Sequence, residues 1–338
     1  MNILMIMSSD RLNQEHAMLN RIVVGLVDEG HQIIRVVPAT ANDEISPHEK
    51  AVSLTKRITT PMPVSWLLRK TRSEDIAGRL EKIRVDAIVA FGKDAIQVAL
   101  GLSPLLGAPV LKEVVSMHEA KRVRTSSSVW RWLAATPSIE RTIARRVGDD
   151  RVSLVPIAAA TSHNANHSYR TSNRCISVLD AAANPKTTRL ILESFKSIQD
   201  VHLFMELTGR HQHATWKHVE QLEMLDRVTC LRDMASLRSL ILETDLLLLP
   251  SEGTPVRTIV LEAMLHSIPI VATSIEGFDM LIDVETAIIT NGSWEQSIHQ
   301  GLDPAVAKRI GEAGRRLVET QYPSSAQIAA FEAVFTLI

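Results

Sequence analysis

One stretch, residues 245–273 (DLLLLPSEGTPVRTIVLEAMLHSIPIVAT), restricts what the chain can fold into more than any other. Leu246 to Leu249 form an apolar run too short for anything but a buried strand. Pro250 and Ser251 stop it, and Gly253 with Pro255 mark a tight turn. Residues 255–266 then read as a helix. A proline suits its first turn, where the missing N–H has no helical partner, and Ile259, Val260, Ala263 and Met264 supply an apolar side. Residues 268–272 are a second buried strand. A strand–turn–helix–strand unit of this kind belongs to an open parallel sheet, in which ligands sit beyond the carboxyl ends of the strands. The helix start brings unpaired backbone N–H groups and a positive dipole end to that place, which suits a phosphate.

The same alternation runs through the chain. Residues 3–7 read as a strand, 13–29 as a helix closed by Gly30, and 32–37 as the next strand. Strands follow at 86–90, 109–115 and 151–157, with 129–135 as strand or short helix and a helix over 137–147. Residues 158–173 (AAATSHNANHSYRTSN) are polar and patternless, which marks an interdomain linker. Beyond it come strands at 175–179, 201–207 and 227–231 and helices over 219–225, 237–243, 293–301, 303–321 and 326–338. Residues 39–72 are weakly patterned. At 338 residues and 45% apolar, the chain is long enough for two such domains.

Composition excludes several classes. Two cysteines, Cys175 and Cys230, form neither a disulfide framework nor a metal cluster, and each reads as a small core residue. The opening MNILMIM is too short for a secretory leader, and no apolar run approaches the ~20 residues needed to span a bilayer. These features predict a soluble, cytoplasmic chain. Residues 1–157 carry 22 Lys/Arg against 17 Asp/Glu, and residues 158–338 carry 15 against 21. Between Lys121 and Arg146 seven basic residues stand against one acid, Glu140, with Trp130 and Trp132 among them. The tract reads in two ways: as a surface meeting anionic lipid at the inner face of a membrane, or as a solvated helix face over core tryptophans. Trp66 reads likewise as a lipid contact or a buried ring. A near-neutral chain with few aromatics argues against nucleic acid.

PSEGTPVRTIVLEAM followed by IPIVATSIEGFDMLI resembles the donor-site motif of the retaining glycosyltransferases of family four, also known as glycosyl transferases group 1. The resemblance follows the order of nearly the whole chain and is weakest in the first half. It implies the GT-B fold, an α/β architecture of two Rossmann-like, doubly wound parallel-sheet domains facing a cleft. Residues 1–157 would be the acceptor domain, 174–323 the nucleotide-sugar donor domain, and the helix over 324–338 would return to the first. The implied reaction moves a sugar, with retention and without metal or cofactor, from a UDP or GDP sugar to a lipid-linked or glycan acceptor in an envelope or exported polysaccharide.

The resemblance also assigns residues. Glu262 fits the second glutamate of the family pair and would bind ribose hydroxyls. The first falls on Thr254, with Glu252 two residues early, so the catalytic carboxylate is either Glu252 after a local slip or absent. Lys186 matches a family lysine on the donor diphosphate, but its arginine partner falls on Ala181. Gly209 ends a strand at a family glycine turn. His118 lies near an active-site histidine of the acceptor side, while Phe91 stands where the family has a histidine and SSDRLNQEH replaces a glycine loop. Arg257 and Thr258 enter from their place in the first turn of the motif helix, as phosphate ligands, or as a surface residue and a cap. Sugar transfer builds negative charge on the leaving diphosphate, which such a helix start and its cations would stabilise. The departures leave open a degenerate relative that binds a nucleotide sugar or stabilises a partner, and, less so, another GT-B reaction such as epimerisation.

Overall fold

The structure is a computed structural model that describes residues 1–39, 52, 55–62, 68–80, 83–125, 128–160, 169–198, 200–232 and 234–338. Trp66 and the middle of the expected linker, 161–168, lie outside the described residues. The chain divides into two compact units, Met1–Ala158 with Ser324–Ile338, and Ala159–Pro323.

Unit 1 runs β1 (Asn2–Met7), α1 (Ser9–Asp28), β2 (Gln32–Pro38), β3 (Lys56–Thr60), α2 (Arg69–Arg79), β4 (Ala87–Phe91), α3 (Lys93–Leu106), β5 (Val110–Val114), a short α4 (Met117–Ala120), β6 (Arg131–Ala134), α5 (Pro137–Val147) and β7 (Val152–Leu154). The seven strands pair in the order β3-β2-β1-β4-β5-β6-β7, every pair parallel. Residues Ile3 to Met7 of β1 are buried on both faces, as helices covering both sides of a parallel sheet require. β3 and α2 fall in the weakly patterned region. β3 exposes Lys56 and half-buries Arg57 and Thr59, the pattern of an edge strand rather than an apolar run.

The segment SSDRLNQEH is not a loop. Ser8 caps α1 by accepting from the Arg11 N–H at 3.3 Å, so the helix starts directly after β1. A non-helical kink at Glu15 (φ −129°, ψ 28°) bends it. Arg11, buried, donates to Glu113 at 2.8 and 2.7 Å and lies 3.5 Å from Glu15, tying the start of α1 to β5. The glycine that permits close approach is Gly92, after β4. With φ +89°, it would bring a Cβ to 2.0 Å from Ser8 Oγ.

Unit 2 runs β8 (Arg174–Val178), α6 (Pro185–Ser194), β9 (Val201–Glu206), α7 (Gln212–Gln221), β10 (Val228–Leu231), α8 (Met234–Leu240), β11 (Leu246–Leu249), α9 (Thr258–Leu265), β12 (Ile270–Ala272), β13 (Ile288–Ile289), α10 (Trp294–Leu302) and α11 (Pro304–Gln321). Its strands are all parallel, in the order β10-β9-β8-β11-β12-β13. The order reverses between β8 and β11, which is the topological switch point of this sheet. Ile176, Leu203, Leu246, Leu248, Phe195 and Trp294 share its core. The helix expected over 219–225 is α7, which begins at Gln212 without a side-chain cap to announce it. The last helix, α12 (Ser324–Phe335), belongs to unit 1, where Glu332 meets His31 at 2.7 Å and Phe335 packs edge-on against the same ring.

Candidate functional site

The motif helix departs from its expected start. Pro255 is not in the first turn; α9 begins at Thr258, and Arg257 before it is extended (φ −131°, ψ 143°). Burial sets this boundary. The Arg257 side chain is fully buried and gives two parallel hydrogen bonds to Glu206, at 2.7 and 3.0 Å. Its Nη1 also reaches Asp180 Oδ1 at 3.3 Å, and the Asp180 N–H donates to Glu206 Oε2 at 2.9 Å. Asp180, Glu206 and Arg257 follow or close β8, β9 and β11, so they meet at the carboxyl ends around the switch point. Arg257 is therefore neither a solvated surface residue nor exposed to a phosphate.

Two carboxylates face one guanidinium here. Burial pushes the Asp180 carboxyl above its ordinary range; Arg257 opposes the rise, Glu206 adds to it, and the Thr254 hydroxyl opposes it. Asp180 keeps 17% of its side chain in solvent, against 5% for Glu206 and none for Arg257, so it is the cluster's outward face. Its backbone is left-handed (φ 49°), a conformation that aspartate tolerates better than most residues.

Glu262 does not lie on a solvated face. Every other residue of α9 is buried, and Glu262 retains 18% of its side-chain exposure. Arg238 of α8 donates through Nη1 to Glu262 Oε1 at 2.6 Å and through Nη2 to Thr258 Oγ1 at 2.7 Å. Thr258, fully buried, is thus bound from the side by a guanidinium.

The remaining expected residues divide. Thr254 is buried (4% exposed), whereas Glu252 is exposed on the turn beside Gly253. Lys186 is exposed in the first turn of α6, whose N-cap Asn184 accepts from the Thr187 N–H at 3.2 Å. Ala181, in the place of the family arginine, is fully buried. Gly209 is exposed with φ +99° after β9. His118 belongs to unit 1, exposed in α4; its neighbour Glu119 pairs with Lys112 of β5. Sequence reasoning missed Asp180, Glu206 and Arg238. Glu206 left one signal, a charge closing the apolar strand that begins at Val201.

The basic tract is also resolved into parts. Lys121, Arg122, Arg124, Arg141, Arg145 and Arg146 are exposed in unit 1. Trp132 is a core residue, 6% exposed, with Lys112 Nζ 5.4 Å from its ring; Trp130 is half-buried, the Arg131 guanidinium 5.0 Å from its ring. Neither ring is an exposed anchor for lipid. Cys175 and Cys230 are half-buried rather than core residues. Among the described residues no cluster of His, Cys, Asp and Glu could hold a metal, and no helix is long and apolar enough to cross a membrane.

Residues 174–303 match the family model described as glycosyl transferases group 1. No curated protein matches the chain in sequence. Solved structures match throughout. A sucrose-phosphate synthase from Thermosynechococcus elongatus is similar at a TM-score of 0.80 and 16% identity, over 99% of this chain and 98% of its own. Anabaena HepE, solved in complex with UDP and glucose, is similar at 0.75 and 12%, over 99% of both chains. A glycosyltransferase from Rickettsia africae is similar at 0.72 and 13%, over 99% and 98%. With its two parallel Rossmann-like sheets, the chain has the GT-B fold.

Proposed function

We propose that the chain is a glycosyltransferase that moves a sugar from a UDP or GDP sugar to a lipid-linked or glycan acceptor, with retention and without metal. The observation that carries this reading is Glu262, the one partly exposed residue of an otherwise buried α9, the helix that follows the switch-point strand β11 inside the matched segment 174–303. Glu262 would accept hydrogen bonds from the donor ribose. Lys186, exposed in the first turn of α6, would face the diphosphate. His118 and either Glu252 or Thr254 would serve the sugar and acceptor. The exposed cations of 121–146 would bring unit 1 to anionic headgroups by charge alone. The test is release of UDP or GDP from a panel of nucleotide sugars in EDTA, with and without polyprenyl-phosphate and glycan acceptors. Acceptor-dependent release supports the reading, and no release from any donor counts against it.

A second reading has its own observation. At the switch point the chain places Asp180 and Glu206, two carboxylates against one sequestered arginine, with the buried Ala181 where the resemblance expects an arginine. That charge opposes a diphosphate and favours a degenerate relative that stabilises a partner. Failure of every donor from a folded sample would select it.

A further inference from the structure

Resting on the nucleotide-sugar reading above, we infer that Arg238 is a positioning residue for the donor ribose, acting through Glu262. Its two terminal nitrogens bind Glu262 Oε1 at 2.6 Å and Thr258 Oγ1 at 2.7 Å. The two acceptors stand one turn apart on α9, so their separation suits a planar fork, whereas a lysine must reach both from one nitrogen without the fixed fork geometry. Bonds from a guanidinium to a carboxylate are charge-assisted and directional.

The location gives the pair its meaning. Arg238 and Glu262 keep 17% and 18% of their side chains exposed, so a ligand reaches the pair. All other α9 residues are buried, which leaves Glu262 as the point where this helix meets anything outside the core. A glutamate has three side-chain torsions, and binding a ribose through a mobile one costs the entropy of ordering it. Arg238 meets that cost before the ligand arrives. Its removal should weaken recognition of the ribose hydroxyls about tenfold, the equivalent of one long side chain immobilised on binding. The nucleobase and phosphates, which do not depend on Glu262, should be unaffected.

The test separates a positioning role from a structural one. The full chain, its Arg238→Gln and its Arg238→Lys variants are titrated calorimetrically with UDP and GDP and with their 2′,3′-dideoxy forms, which lack the ribose hydroxyls. The parent should prefer one ribonucleotide to its dideoxy form. Arg238→Gln should lose that preference about tenfold by weakening only the ribonucleotide, and Arg238→Lys should lose part of it. Should Arg238→Gln fail to fold in a melting curve, Arg238→Lys carries the test alone. Equal weakening of both forms, or an unchanged preference, overturns the role of Arg238 while leaving the nucleotide reading intact. A parent that binds both forms equally overturns the inference alone, and a parent that binds no nucleotide overturns that reading and the inference with it.

Discussion

Arg257 closes both terminal nitrogens on Glu206, at 2.7 and 3.0 Å, with no exposure of its own side chain. The pair joins the turn after β11 to the end of β9, across β8 between them. Breaking a buried pair by removing one partner leaves an uncompensated charge, which costs about 3–5 kcal/mol. Arg257→Met should lower stability in urea unfolding by that amount, and a loss under 1 kcal/mol would mean that the cluster rearranges freely.

Asp180 is the surplus acid of the same cluster. Its proton affinity is raised in the fold, chiefly by burial. Such a group contributes stability that is whole below the unfolded carboxyl's pKa of ~3.9 and is lost as pH rises through the higher folded value. Asp180→Asn keeps the side-chain shape, suits the left-handed backbone and removes the charge. It should be more stable than the parent at pH 7, with a smaller difference near pH 4. It should also bind a nucleoside diphosphate more tightly, because one negative charge leaves the switch point. Thermal melts at the two pH values and a nucleotide titration check both; weaker binding would mean that Asp180 contacts the ligand.

Burial pushes the Cys230 thiol up to about 11, against the opposing pull of Arg232, and pushes the Cys175 thiol up as well. The thiolate is the reactive form. In a Cys175→Ser background, Ellman's reagent at pH 8 should therefore label Cys230 on the order of a hundredfold more slowly in the folded chain than in the chain unfolded in urea. Comparable rates would contradict the assigned burial.

Val284 sits in the loop between β12 and β13 with φ 61° and 54% exposure, a conformation that a β-branched residue rarely adopts. Its N–H donates to the Ala287 carbonyl at 2.8 Å, which holds the turn in place. Val284→Gly should raise stability by about 1 kcal/mol by relieving that strain. A destabilised variant would mean that the valine side chain packs usefully despite its exposure.

Legibility followed range along the chain. Leu246 to Leu249 and Ile3 to Met7 announce buried strands because a continuous apolar run is a local signal. β3 escaped because an edge strand needs only one buried face, and its Lys56 and Arg57 hide it. The site was half legible. Glu262 and Lys186 stand in recognisable motifs, but the partners that define Arg257 lie 51 and 77 positions away, and Arg238 is 24 positions from Glu262. No spacing rule links such residues; only the sheet order brings their strand ends together. The expected start of the motif helix at Pro255 failed for the same reason, since the burial of Arg257 set it three residues later.

In the proposed function, unit 2 would hold a nucleotide donor through Glu262 and Lys186. The most direct measurement is calorimetric titration of the parent, Glu262→Ala and Lys186→Ala with UDP and GDP in the absence of metal. The parent should bind one of the two nucleotides with a Kd on the order of micromolar, and each variant should be weakened about tenfold or more while remaining folded. A folded parent that binds neither nucleotide, or variants that bind as well as the parent, would contradict it.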